Sequence, residues 1–133
     1  MKTQRTIPIL RIFDVEKAKQ FYVDWLGFKV MWMHRFEANF PVYMEVSLDS
    51  SVFHLSEHHG DCSPGSHVFI WCTGLKAFHK KLMDKKYKYD KPGLAKAQWG
   101  NALTMQVTDP FGNKLSFNES QERSVKIKDP KKK

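Results

Sequence analysis

The chain of 133 residues has few of the features that usually announce a chemistry. It has two cysteines, Cys62 and Cys72, without C-x-x-C spacing. That excludes a disulfide framework or thiolate zinc cluster and leads us to expect reduced thiols in a cytoplasmic protein. No apolar run approaches the ~20 residues that a membrane span needs. The opening MKTQRTIPILRIFD runs from a short apolar patch into Asp14 and a helical pattern, so neither a signal peptide nor a membrane partner is expected. There is no P-loop, no dinucleotide fingerprint, and no G-x-S-x-G elbow around Ser47, Ser51 or Ser56. Paired carboxylates for acid–base work are missing from the strand face on which a ligand would sit, where Glu45 stands alone.

Aromatics, by contrast, are abundant at 14% of residues, and 41% of the chain is hydrophobic, enough for one compact domain with a substantial core. The net charge is +8, but six Lys/Arg against one Asp between Arg123 and Lys133 account for most of it. Residues 120–133 therefore read as a basic, disordered tail on a domain spanning 1–119. A solvated tail is preferred to an RNA-binding arm, since no RRM or KH signature accompanies it and a nucleic-acid partner is not expected.

Alternation and turn residues order the elements. Ile7–Phe13 reads as a strand. Asp14 then caps an amphipathic helix carrying Val15, Ala18, Phe21, Tyr22 and Trp25, which Gly27 ends. Residues 28–36, 40–48 and 51–56 follow as strands, and the stretch to Pro64-Gly65 as a loop. The order then repeats: a strand at His67–Cys72, a helix on Leu75, Phe78 and Leu82, a short strand at YKYDKPG, a longer one at Ala102–Thr108, and the turn DPFGN into residues 114–118. Two βαβββ modules, about 7–56 and 66–118, make an α+β fold of curved sheets.

Within the strands, Leu10, Ile12, Phe53, Leu55, Val68, Ile70, Leu115 and Phe117 form the apolar side expected under the helices. The other side carries Ile9, Arg11, His54, Ser56, His67, Phe69, Trp71, Ser116 and Asn118. That mixture suits a ligand cavity better than a core. FHLSEHHGDCSPGSH (53–67) holds four of the chain's six histidines, of which His54 and His67 fall on this side. His58 and His59 read as a solvated loop pair, and His34 and His79 as surface or helix-face residues.

The segments IPILRIFDVEKAKQFYVDWLGFKV, HLSEHHGD and TDPFGNKLSF resemble the vicinal oxygen chelate superfamily. Within it they are most similar to the glyoxalase-like proteins of the bleomycin-resistance type, over residues 7–118. The resemblance implies a cupped mixed sheet in a homodimer, with pockets near the subunit interface bordered by the Trp99-Gly100 loop. Metal-dependent members take ligands from four strands, and the matching positions here are Ile7, His54, His67 and Ser116. Ile7 has no donor atom and Ser116 is a poor one, so no metal cofactor is expected, and any metal would rest on His54 and His67. Glu45, Glu57 or His58 would then have to supply a third ligand.

What remains suits capture of a planar or apolar molecule. Trp32, Phe69, Trp71 and Trp99 offer stacking surfaces, with Arg11, His54, His67 and Ser116 as polar neighbours. Trp32 and Trp71 serve equally well as core or interface residues. The expected function is metal-independent binding and sequestration of a small molecule, an antibiotic among the candidates. A metal-dependent lyase or dioxygenase using His54 and His67 is the alternative. Bleomycin itself, a cation, is a poor electrostatic match to Arg11, His54 and His67.

Overall fold

The computed structural model describes residues 1–122 and comprises two compact units, residues 1–68 with 108–114 and residues 69–107 with those from 115 onward. The first holds one four-stranded sheet and the second all but a few strand-end residues of another, and the two sheets repeat one βαβββ order, as expected for the α+β class. The expected tail lies, from Arg123, outside the described residues.

In the first sheet the strands are β1 (Ile9–Arg11), β2 (Lys29–His34), β3 (Tyr43–Leu48) and β4 (Ser51–Ser56), in the order β1-β4-β3-β2. β1 runs parallel to β4, and the other pairs are antiparallel. The tight turn at Asp49-Ser50 places Asp49 at φ 52, a left-handed conformation that a short Asx side chain tolerates better than most. It pairs Leu48 with Ser51 and hence Glu45 with His54. Between Val30 and Trp32 the β2–β3 register slips at a bulge, so that Trp32, not Met31, lies opposite Glu45.

The connecting helix α1 (Val15–Ala18) is capped by the Asp14 side chain, which accepts from the Lys17 amide at 3.0 Å. It widens into a π-helical segment over Lys19–Trp25, where the Leu26 amide reaches the Phe21 carbonyl five residues back at 3.0 Å. Gly27, at φ 92, ends it, as the sequence predicted. Phe21, Tyr22, Trp25, Leu26 and Phe28 are all buried, together with Leu10, Ile12, Met44, Val46, Phe53 and Leu55. Burial of an aromatic or large aliphatic side chain contributes roughly 1.5–3 kcal/mol, so this cluster is a large part of what holds the first unit together.

The second sheet is ordered β5-β8-β7-β6, from β5 (His67–Trp71), β6 (Ala95–Lys96), β7 (Ala102–Thr108) and β8 (Lys114–Ser120). α2 (Leu75–Asp84) buries Leu75 and Leu82. Its first amides are taken by a side chain from β8, with Glu119 accepting from Gly74 at 3.2 Å and Leu75 at 2.9 Å.

The strand expected over Ile7–Phe13 shortens to Ile9–Arg11 and that over His67–Cys72 to His67–Trp71, and three further sequence expectations are corrected. YKYDKPG is not a strand: Lys86 turns left-handed at φ 55 and Pro92 has no amide to donate, so pairing begins only at Ala95. Residues 28–36 and 40–48 are not strands throughout. β2 stops at His34 and β3 starts at Tyr43, because the Phe40 amide bonds the Glu37 carbonyl at 2.9 Å and Pro41 cannot join a ladder. β8 also runs two residues beyond the expected 118, to Ser120.

Candidate small-molecule site

On one face of the first sheet the register lines up Trp32, Glu45, His54 and Ile9 in one row across four strands, and His34, Tyr43, Ser56 and Arg11 in the next. His54 stands at the centre. Its Nε2 lies 2.9 Å from Glu45 Oε1, and its Nδ1 lies 2.7 Å from the Tyr43 hydroxyl. A carboxylate accepts only, which assigns the proton to Nε2 and leaves Nδ1 to accept from the phenol. Burial, with Asp61 and Cys62 beside it, raises the Tyr43 pKa, so the phenol keeps the proton it donates. The result is a closed carboxylate–imidazole–phenol chain.

Trp32 covers this chain. Its ring stacks on Tyr43 with centroids 5.9 Å apart and an interplanar angle of 10°, and meets His54 edge-on at 5.2 Å. The indole is still 43% exposed. Glu45, which stands alone in the sequence reading, is thus the partner of His54. Counting outward from the two-residue Asp49-Ser50 turn gives that pair directly from sequence.

The histidine-rich loop is held to β4 by Ser56, whose hydroxyl donates to Asp61 at 2.7 Å and accepts from the His58 amide at 3.0 Å. Glu57 is committed to the backbone. Its carboxylate takes the Val42 amide at 2.9 Å, and its own carbonyl accepts from Arg11 Nη1.

Arg11 is only 9% exposed, with its guanidinium 4.4 Å over the Phe13 ring. It lines a cavity of about 420 Å³ together with Phe13, Arg35, Asn39, Phe40, Pro41 and Glu57. Arg35, Asn39, Phe40 and Pro41 belong to the connection between β2 and β3, which the sequence reading shortened by assigning its ends to strands.

Beneath this face lies a cluster that sequence reasoning took for a plain turn. Asp109 of DPFGN accepts from the Tyr22 hydroxyl at 2.7 Å, from the Phe111 and Asn113 amides at 2.8 Å each, and from Asn113 Nδ2 at 2.8 Å. Asn113 Nδ2 also donates to the Arg11 carbonyl at 2.8 Å and so ties the strand that carries Arg11. Burial raises the Asp109 pKa against the opposing hydrogen bonds, and raises that of Tyr22 well above the ordinary phenol value.

In the second unit Phe69, Trp71 and Trp99 form a mutual cluster with centroids 5.1–5.8 Å apart, and they remain 51%, 42% and 58% exposed. Ser116 is buried on β8, while Asn118 beside it accepts from Thr104 Oγ1 at 2.8 Å and donates to the Ser116 carbonyl at 3.0 Å. His67, at the start of β5, is exposed.

The residues do not fit a metal centre. Ile7 has no donor atom, His54 has both ring nitrogens in hydrogen bonds, and Glu45 and Glu57 are already engaged. Among the described residues, no three His, Cys, Asp or Glu side chains are grouped to hold a metal ion. Both thiols have raised pKa values, Cys62 from burial and Asp61, Cys72 from burial and Glu119. Neither is poised as a nucleophile.

A family model described as "Glyoxalase superfamily protein" matches residues 1–124. Among solved structures, a bleomycin-binding protein complexed with bleomycin shares 17% identity at a TM-score of 0.65, over 90% of this chain and 100% of that one. TnmS3, an antibiotic binding protein from Streptomyces sp. CB03234, shares 19% at 0.67, over 91% and 99%. A glyoxalase-related enzyme from Clostridium phytofermentans shares 20% at 0.70, over 90% and 97%. No match is found among curated proteins. No helix among the described residues is long and apolar enough to cross a membrane. The family model spans nearly the whole chain and the fold agrees with it, so this chain belongs to the glyoxalase superfamily.

Proposed function

We propose that this chain binds and sequesters a small aromatic or apolar molecule, without a metal and without transforming it. The observation that carries the reading is the pairing of a spent polar chain with open aromatic surfaces. Tyr43, His54 and Glu45 hydrogen-bond one another, so both imidazole nitrogens already have partners within the protein. Trp32 above them presents an exposed face, and so, in the second unit, do Phe69, Trp71 and Trp99. Stacking on such faces gives affinity without chemistry, and sequestration needs only an abundant protein and slow dissociation.

The bleomycin-binding protein and TnmS3 are named for antibiotic binding, which makes antibiotics the first ligands to try. The two arginines of the 420 Å³ cavity favour neutral or acidic compounds over a cationic drug. The same reading has the chain act as a homodimer in the cytoplasm. Exposed Phe69, Trp71 and Trp99 and the unpaired cysteines support it.

The test is a calorimetric titration of chelator-stripped protein with Zn²⁺, Ni²⁺, Mn²⁺ and Fe²⁺, beside the His54→Ala/His67→Ala double variant. It is paired with a tryptophan-quenching screen of antibiotics in which bound compounds are recovered and weighed by mass spectrometry. We expect no stoichiometric metal binding, and ligand recovered intact. One metal per chain, lost in the double variant, would establish the lyase or dioxygenase reading instead.

A further inference from the structure

The cavity beside β1 contains a charge that the protein itself leaves unbalanced. Arg11 is nine-tenths buried, and among the described residues no carboxylate lies within ion-pair distance of its guanidinium. Among the described residues it donates one hydrogen bond to the Glu57 carbonyl, lies over the face of Phe13 and interacts electrostatically with Cys62. A guanidinium has five N–H donors in a planar fork, and burying its charge without a counter-ion is costly. Arg35, on the same cavity, is braced by donating to the Ala38 carbonyl at 2.6 Å. The one carboxylate in the lining, Glu57, is turned onto the Val42 amide. Two guanidinium groups thus face one committed carboxylate, and Phe13, Phe40 and Pro41 complete the wall.

We propose that this cavity is an anion site: Arg11 and Arg35 hold the carboxylate, phosphonate or sulfonate of a small organic acid whose apolar body lies on Phe13, Phe40 and Pro41. The geometry gives each part of the ligand a partner. Arg11 offers a guanidinium fork with N–H groups beyond the one held by Glu57 still accessible for bidentate recognition, Arg35 a second cation at the exposed rim, and the two phenyl rings a stacking surface. The volume suits a molecule of one or two rings. This inference deepens the binding reading above by giving the ligand a charge.

The experiment compares 1-naphthoate with its neutral isostere 1-naphthamide by calorimetry on the full chain, the Arg35→Gln variant and the Arg11→Met variant. We expect naphthoate to bind the native chain at least about tenfold more tightly than naphthamide, since a charge-assisted hydrogen bond contributes about 1.5–3 kcal/mol. Arg35→Gln, at an exposed side chain, should narrow the gap severalfold with unchanged thermal stability, and Arg11→Met should close it. If Arg11→Met does not fold, the Arg35 arm and displacement of naphthoate by benzoate still decide. Equal binding of the two probes, or an undiminished preference in Arg35→Gln and Arg11→Met, overturns the anion site while leaving aromatic sequestration intact. If neither probe binds, both readings fail for ligands of this size.

Discussion

The two units start from the same βαβββ order and spend their side chains differently. In the first, the helical connection buries Phe21, Tyr22 and Trp25, the DPFGN turn adds a buried polar cluster, and the sheet's polar face is closed by Tyr43, His54 and Glu45. In the second, α2 buries Leu75 and Leu82, and Phe69, Trp71 and Trp99 form an exposed mutual cluster. The repeat shows that one fold plan sets where strands and helices go but not which surface holds the fold and which is left for a partner. Both units leave aromatics exposed, Phe13, Trp32, Phe36 and Phe40 in the first and Phe69, Trp71, Tyr89 and Trp99 in the second, and in the second three of them pack on one another, a patch available to a ligand or another subunit.

The largest test of that contrast is Asp109→Ala. It strands the Tyr22 hydroxyl, two backbone amides and an Asn113 N–H in the first unit's interior. We expect a loss of about 3 kcal/mol or more in denaturant unfolding, and a cost below about 1 kcal/mol would show that the cluster is not what braces the unit. The same cluster sets an alkaline limit. Folding raises the Tyr22 pKa above its ordinary 10.0, so the folded state holds a proton that the unfolded state releases. Stability from this group is complete below about pH 10 and falls as the pH rises beyond it; Tyr22→Phe should flatten that fall. Asp109, also raised, works in the same sense from lower pH, its contribution declining as the pH passes upward through the ordinary carboxylate range.

A smaller effect is expected at Glu119, the side chain that caps α2 from β8. Glu119→Ala should cost about 1–2 kcal/mol, and Glu119→Gln should recover part of it by restoring an acceptor. If both variants match the native chain in thermal unfolding, the cap is incidental. The smallest effect belongs to Trp99→Ala, within about 0.5 kcal/mol on stability because the side chain is 58% exposed. A stability loss well beyond that would make Trp99 a core residue and weaken the contrast between the units. Unchanged affinity for every compound that the wild-type chain binds would remove it from the ligand surface.

Much of this organisation is legible in the residues. Asp14 and Gly27 bracket the first helical connection because a cap and a left-handed stop are local properties. The buried strand positions Leu10, Phe53, Leu55, Leu115 and Phe117 follow from alternation alone. What was not legible depends on distance along the chain. Tyr22 and Asp109 are 87 positions apart, and no local pattern announces their bond. Arg35 and Phe40 sit in a segment whose apolar content reads as strand until Pro41 and the turn at Glu37 are weighed against it. The widening of the first helix into π geometry likewise leaves no mark on the periodicity, because Phe21, Tyr22, Trp25 and Leu26 share one face in either form.

The bulge between Val30 and Trp32 makes the face that carries Trp32, where we propose a ligand stacks, a matter of chain length as much as residue identity. Side chains alternate across a strand, so one supernumerary residue exchanges the two sides for everything beyond it. With the bulge, Trp32 shares its row with Glu45 and His54; without it, counting from the Val30–Val46 pair sets Met31 opposite Glu45 and Trp32 opposite buried Met44. Relatives that gain or lose a single residue in this strand can therefore change what they recognise with every aromatic still present in the sequence. Such a change would be invisible to a comparison that scores substitutions and ignores gaps.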